Sequence, residues 1–290
     1  MSSGDRRGKP AMSFERPSSA RAYGWMLGGK DIYPADQNIL LYMLGRFPEC
    51  VDIARQNRQF LYRAVRYLVE EAGIRQFLDM GCGLPTDDNV HQVAQRFNPD
   101  ARVAYVDVDP IVLAHGRALL AESRARTTVV TADMRVPETI LADPDVERLL
   151  DFSEPIAVLF LSVGHHLKDV DKVGRGARHV LRHIIDTVAA PGSYLAFSQV
   201  VSDDAAVGSA FAAKIDGSGI PWQSRTPAEV DGLFDGLEQV EPGLVNLVDW
   251  RPDPGQPPLQ PVPEPLLRYV GATERRSSNV YEYGGILRKP

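Results

Sequence analysis

The chain is short of cysteine, of long apolar runs and of basic residues in excess, and each shortage narrows what it can be. Its 290 residues hold only two cysteines, Cys50 and Cys82, and no CxxC pair. That count excludes a disulfide framework and a cysteine-based zinc site, and it suits a reducing, cytoplasmic setting. No stretch is apolar for long enough to suggest a membrane helix, so no membrane partner is expected. The formal net charge is -6 and forms no basic stripe, which argues against affinity built on nucleic-acid phosphates. Residues 1–10 are polar and basic without an apolar centre. They do not read as a secretory signal, and residues 1–12 are expected to be a disordered tail.

What is present is an alternation of short apolar runs and helical patterns. Residues 13–72 read as an N-terminal helical cap. Pro17-Ser18-Ser19 offers a helix start, the glycines and charges at 28–31 break the helix, and 36–44 resumes it. The pattern over 51–71 carries Phe60, Leu61, Ala64, Val65, Leu68 and Val69 on one face, with Arg58, Arg63 and Arg66 mostly off it. Strands are then expected at 76–80, 103–107, 128–131, 156–161 and 194–201, with helices at 89–97, 110–122 and 176–188 between them. This order predicts an α/β chain with a mostly parallel sheet and crossover helices over 73–290. Beyond it, helices are expected at 205–215 and 227–237, strands at 245–250 and 280–287, and an irregular proline-dense loop at 251–265.

The first strand runs into Asp79-Met80-Gly81-Cys82-Gly83. Two glycines after an apolar strand are the mark of a nucleotide-binding loop. An acid before the first glycine would repel a pyrophosphate but gives a charge-assisted hydrogen bond to an ammonium group. S-adenosylmethionine (SAM) carries an ammonium and no phosphate. Thr86 also stands where the dinucleotide fingerprint needs its third glycine, which speaks against a nicotinamide oxidoreductase. Asp107 ends the second strand 26 positions after Gly81 and is placed to accept from ribose hydroxyls, with Val108 beside it and Asp109 able to share the task or cap the next helix. Asp133 and Met134, after the third strand, are placed for the adenine amine and ring.

Ser162-Val163-Gly164-His165-His166 follows the fourth strand and borders the same crevice. His165 or His166 can serve as a general base on an acceptor, or one can bond backbone while the other packs beside the cofactor. Tyr23 belongs to an aromatic and charged cluster with Trp25, Lys30 and Tyr33 in the cap, readable as part of a lid or as a plain amphipathic helix. Arg58 is the favoured one of three arginines, with Arg55 and Arg63, to reach the cofactor carboxylate. His179 and His183 have the spacing of a helical metal pair, but they lie off the buried face among Arg175, Arg178 and Arg182. They are read as a solvated face, and no metal site is assigned.

Several segments together resemble the actinobacterial SAM-dependent methyltransferase family 19, long described only as a domain of unknown function. They are Pro17-Ser18-Ser19-Ala20-Arg21-Ala22-Tyr23, Leu27-Gly28-Gly29-Lys30-Asp31, Asn57-Arg58-Gln59-Phe60-Leu61, the glycine loop to Thr86, Tyr105-Val106-Asp107, Trp250-Arg251-Pro252 and Tyr283-Gly284-Gly285. The resemblance implies a class I methyltransferase (Rossmann-like) fold, a seven-stranded sheet with its last strand antiparallel, and SAM at Asp79, Gly81, Gly83, Asp107 and Asp133. Against the family pattern, Cys82 replaces a frequent threonine, Val108 a frequent asparagine, and 266–278 looks inserted. The expected cofactor contacts are thus Asp79, Gly81, Cys82, Gly83, Asp107, Val108, Asp133, Met134, Ser162 and Arg58, with His165, His166 and Tyr23 as candidates for catalysis. Methyl transfer to a small-molecule acceptor of specialised metabolism is the leading expectation, with S-adenosyl-L-homocysteine (SAH) as product. An enzyme that cyclises or cleaves SAM itself and a non-catalytic SAM-binding partner are the alternatives.

Overall fold

A computed structural model describes residues 14–86, 88–119, 125–170, 175–188, 190–275 and 280–290. The tail expected at 1–12 lies outside the described residues, as do the end of the helix expected at 110–122 and part of the stretch expected as an insertion at 266–278.

Five strands alternate with helices as the sequence predicts. They are β1 (Gln76–Met80), β2 (Arg102–Asp107), β3 (Thr127–Thr131), β4 (Ala157–Phe160) and β5 (Tyr194–Val201). All five pair in parallel, in the order β3-β2-β1-β4-β5. Every residue of β1 and β4 is buried, because helices cover both faces of a parallel sheet. The crossovers are α4 (Val90–Phe97), α5 (Pro110–Leu119), the pair α6 (Pro137–Leu141) and α7 (Pro144–Leu149), and α8 (Ala177–Val188). His179 lies exposed on α8 and His183 half-buried, as the charge pattern suggests.

The C-terminal part differs from expectation in its details. Two two-residue strands, β6 (Glu238–Gln239) and β7 (Val245–Asn246), precede β8 (Tyr281–Arg288), giving eight strands in the sheet. The seven expected become eight because β6 is too short to leave a pattern in sequence. The last strand is antiparallel to β5, as expected, but it lies inside the sheet, with β6 and β7 on its far side. The strand expected over 245–250 stops early because Leu247 and Trp250 turn inward and are fully buried, Trp250 packing edge-on against Phe60 at 5.1 Å. The helix expected at 227–237 is only α10 (Pro227–Asp231), closed at Gly232, whose carbonyl accepts from Arg178.

Strand pleating decides what meets what. Phe77, Asp79, Val103, Tyr105 and Asp107 share one face of the sheet, where Phe77, Val103 and Tyr105 join Phe60 and Trp250 in one apolar cluster. That face is covered by the cap helix α3 (Cys50–Glu70). Leu78, Met80 and Val106 pack on the other face against Ile140, Val180 and Ile184. The cap also contains α1 (Ser19–Met26) and α2 (Pro34–Arg46). Its side chains Met43, Leu44 and Val51 share a third apolar cluster with Val200, Phe211 of α9 (Ala205–Asp216), Leu266 and Val280. Trp25 is part of that core, and Lys30 is exposed. The break at Gly28 is a packed turn, since a Cβ there would lie 2.8 Å from the Pro261 carbonyl oxygen.

Candidate active site

The carboxyl ends of β1 to β5 open into a cavity of about 560 Å³, roofed by α1, α2 and the first turns of α3. All thirteen residues singled out from sequence border it: Asp79, Gly81, Cys82, Gly83, Asp107, Val108, Asp133, Met134, Ser162, Arg58, His165, His166 and Tyr23. They come from six separate stretches of chain, brought together because parallel strands end at one edge.

The glycine loop is built for close approach. Gly81 and Gly83 have φ of 73° and 66°, a region that favours glycine. A Cβ on Gly81 would meet Val163 at 3.0 Å and the Met134 sulfur at 3.5 Å. The Gly81 and Cys82 amides donate to the Val106 carbonyl at 2.8 and 3.1 Å, so the turn is welded to β2. Burial, with Asp107 and Asp79 nearby, raises the Cys82 thiol well above its ordinary range, which makes it unreactive. Asp107 accepts from the Gly83 amide at 2.9 Å and the Asp109 amide at 2.9 Å. Those bonds fix its carboxylate in place. Burial nonetheless raises its pKa.

Asp79 is only 6% exposed, and its carboxylate accepts no hydrogen bond among the described residues. Burial pushes it up to about 7, with Arg58 opposing the rise and Asp107 adding to it. A buried carboxylate bordering a cavity without a hydrogen-bond donor is costly unless a ligand supplies one. Of the three candidate arginines, Arg58 alone borders the cavity. Arg55 reaches the Gln260 carbonyl. Arg63 is buried, contrary to its expected place off the packed face, and donates to the Trp250 and Leu247 carbonyls at 2.9 and 2.7 Å.

Asp133 is partly spoken for. Arg135 grips it through Nε at 2.9 Å and Nη2 at 2.6 Å. Burial opposes its ionisation, but the bonds from Arg135 outweigh that and hold the carboxyl low. Val108 is 53% exposed on the cavity rim, an apolar surface suited to a ring.

The two histidines after β4 are distinguishable by their partners. They sit on a single 3₁₀ turn (Gly164–His166) that a buried arginine ties down. Arg225, 2% exposed, donates to the Gly164 and Leu167 carbonyls at 3.2 and 2.6 Å, to Gln199 at 2.9 Å and to Asp169 at 2.6 Å. A Cβ on Gly164 would lie 2.2 Å from the Phe197 ring, so only glycine fits. His165 is stacked on Trp222 at 3.7 Å, and its Nδ1 accepts from the Val200 amide at 3.3 Å. Its lone pair is therefore occupied, and Nε2 carries the proton. His166 is opposite. Its Nδ1 is 2.7 Å from the Pro221 carbonyl oxygen. A carbonyl only accepts, so Nδ1 is protonated and the lone pair lies on Nε2. Burial lowers the pKa of both rings, His165 well below its ordinary value.

Tyr23 borders the cavity, but its hydroxyl donates to the Ala54 carbonyl at 3.1 Å and accepts from Asn57 at 2.8 Å. Burial raises it to about 12. Its hydroxyl ties α1 to α3. Ser162 has φ of 55°, a strained value for serine, held by its amide donating to Ser198 Oγ at 2.7 Å.

Sequence reasoning missed the residues that hold the roof. Ser18 Oγ donates to Asp109 at 3.0 Å, while Arg21 grips Asp36 at 2.7 Å and stands 3.9 Å from Asp109. The repeated hydroxyls and the arginine at 18–21 mark a helix start, and nothing in them shows a partner ninety residues away. It also missed Glu282, fully buried on β8 beside the Ser198 and Ser162 hydroxyls without a well-aligned bond. Burial pushes its carboxyl up to about 8. Because the folded-state value lies above the ordinary one, Glu282 supports the fold fully below about 4.5, and that support is lost as pH rises through about 8. Glu282→Gln should therefore melt higher than the parent at pH 8, by a few degrees, with the gap closing toward pH 5 in paired thermal melts.

Residues 5–290 match the profile of a family described as S-adenosyl methyltransferase. Two crystal structures resemble the chain over almost its whole length. A DUF574 family protein from Streptomyces avermitilis has 36% identity and a TM-score of 0.81, over 96% of this chain and 99% of that one. A candidate methyltransferase from Thermobifida fusca has 40% identity and a TM-score of 0.77, over 97% of each chain. A Haemonchus contortus phosphoethanolamine N-methyltransferase, solved with phosphomonomethylethanolamine and SAH, shares the fold at 15% identity and a TM-score of 0.55, over 93% of this chain and 57% of that one. Among curated proteins, none matches the chain.

Proposed function

The chain belongs to the S-adenosyl methyltransferase family, and from that premise we propose that it transfers a methyl group from SAM to a small-molecule acceptor within the cavity under the cap. The observation that carries this reading is Asp79, a nine-tenths-buried carboxylate that borders the cavity and accepts no hydrogen bond from the described residues. An ammonium group would satisfy it. Asp107 would hold the ribose, Val108 and Met134 would flank the adenine, the turn at Gly81 and Gly83 would let the ligand approach the backbone, and Arg58 would face its carboxylate. Asp133 would meet the adenine amine only with the acceptor capacity that Arg135 leaves.

SAM supplies an electrophilic methyl group on its sulfonium. The residues of this chain then have to place a nucleophile in line and keep water out. The bonded Tyr23, Asn57, Ser18 and Arg21 close the roof. His165 is fixed as a hydrogen-bond donor, so the proton acceptor after β4 is His166 through Nε2. The cavity is lined by charged residues at the ends of β1 and β2 but by apolar ones along α2, Val200, Phe211 and Trp222, which favours a separate acceptor over chemistry on SAM alone.

Calorimetry with SAM and a scan for SAH with acceptor mixtures test the reading. Asp107→Ala is expected to weaken SAM binding by about 1–3 kcal/mol. His166→Gln is expected to leave SAM affinity unchanged and to lower kcat by about 10²–10⁴-fold. Absence of SAM binding, or methylthioadenosine formed from SAM alone, would count against methyl transfer.

A further inference from the structure

The cavity is chemically divided. Its charged lining residues come from the ends of β1 and β2, from the loops after β2 and β3, from the start of α1 and the residues before it, and from Arg58. Several are matched in pairs, Arg21 with Asp36 and Asp109, Arg135 with Asp133. The lining residues from α2, the first turns of α3, β5, α9 and 219–222 carry no charge at all. Their wall is made by Leu40, Met43, Ile53, Val200, Phe211 and Trp222, all within or packed on one apolar cluster. The two aromatic rings of that wall lie 5.3 Å apart, and Met43 can adjust to an irregular outline.

An ionised group placed in this lobe would lose its hydration and find no counter-charge, a large cost. That excludes a phosphate or carboxylate at the lobe, and it excludes an amine that arrives as ammonium. The polar group at the boundary is His166, whose Nδ1 is fixed on the Pro221 carbonyl and whose Nε2 presents a lone pair. A lone pair on a neutral imidazole asks for a hydroxyl.

We propose that the apolar lobe receives an uncharged, ring-bearing hydrophobic molecule and that its hydroxyl is the methyl acceptor. This deepens the methyl-transfer reading and rests on it. The oxygen–methyl bond forms as the methyl–sulfur bond breaks, the sulfonium becomes a neutral thioether, and the hydroxyl proton passes to His166 Nε2 and then to water. The aromatic and sulfur-bearing wall contributes ring contacts and desolvation.

The test uses the full chain saturated with SAH and titrated with 2-naphthol, 2-naphthoate and phosphoethanolamine, read by calorimetry. The expected result is binding of 2-naphthol at least tenfold tighter than that of either charged probe, and 2-methoxynaphthalene formed when SAM replaces SAH. Met43→Glu is expected to weaken 2-naphthol at least tenfold while SAM affinity stays within twofold. If that variant does not fold, Phe211→Ala serves, with a loss of about tenfold expected. Equal or tighter binding of a charged probe, no binding of 2-naphthol at millimolar concentration, or indifference of 2-naphthol to the lobe variant overturns the proposal. SAM affinity is measured separately in each case. Failure there strikes the methyl-transfer reading, whereas intact SAM binding with charged-probe preference strikes only the lobe.

Discussion

Replacing Arg225 by alanine is expected to lower stability by about 3–5 kcal/mol and to abolish most turnover, with SAM affinity little changed where the protein remains folded. The guanidinium is buried and serves four acceptors, two of them carbonyls of the turn that carries the histidines. Truncation leaves the Gly164 and Leu167 carbonyls and the Gln199 amide oxygen without that donor, and each unmade buried bond costs about 1–3 kcal/mol. The ion pair to Asp169 adds little, because that carboxylate is 57% exposed. At roughly 2–4 °C per kcal/mol, the midpoint of thermal unfolding should drop by about 10 °C. Lysine is not expected to rescue, since one ammonium cannot span acceptors on opposite sides. A variant as stable as the parent would show that the turn is held by its apolar packing alone.

The second large effect concerns Asp79. Its carboxyl is held at about 7, burial being the main cause, with Arg58 from α3 pulling down and Asp107 from β2 pushing up. Tyr105 and Cys82 face it as well, both raised well above their ordinary values by burial and so uncharged. Below about 7 the empty site therefore holds a proton that an ammonium ligand must displace. The sign follows: SAM affinity should rise with pH, approaching tenfold per unit below 7, and level off above it. Asp79→Asn should flatten that profile between pH 6 and 8 and weaken binding at pH 8 by about 2–5 kcal/mol, the usual loss on removing one partner of a buried charge pair. A profile with the same slope in the variant would assign the proton to another group.

What was legible in the sequence and what was not divide along a physical line. Strand ends and glycine turns are local, so Asp79, Gly81, Gly83, Asp107 and the histidine turn could be placed on one crevice from spacing alone. The apolar stripe of α3 likewise foretold Phe60, Leu61 and Leu68 in the core. The cap that Asp109 places on α5, accepting from the Ile111 amide at 2.9 Å, was read from the sequence, but Arg225, Glu282 and the bond from Ser18 to Asp109 were not, because each depends on a partner far along the chain. A buried arginine and a surface arginine look identical in sequence. The same holds for Arg63, read as lying off the packed face and found buried under Trp250 and Leu247. Partners could separate His165 from His166 only once the Val200 amide and the Pro221 carbonyl were in view. The short strand β6 left no signal because two residues carry no periodicity.

The inward position of β8 has a consequence for how the molecule comes into being. The N-terminal helices rest on Val200, Phe211, Leu266 and Val280, and β5 lacks its neighbour until β8 is made. A ribosome must thus deliver the chain through β8 before the seat of α1 and α2 is complete, whereas α3 can rest on β1 and β2 well before that. Until then, Met43, Leu44 and Val51 are a greasy surface looking for company, which makes the newborn chain a natural client for chaperones.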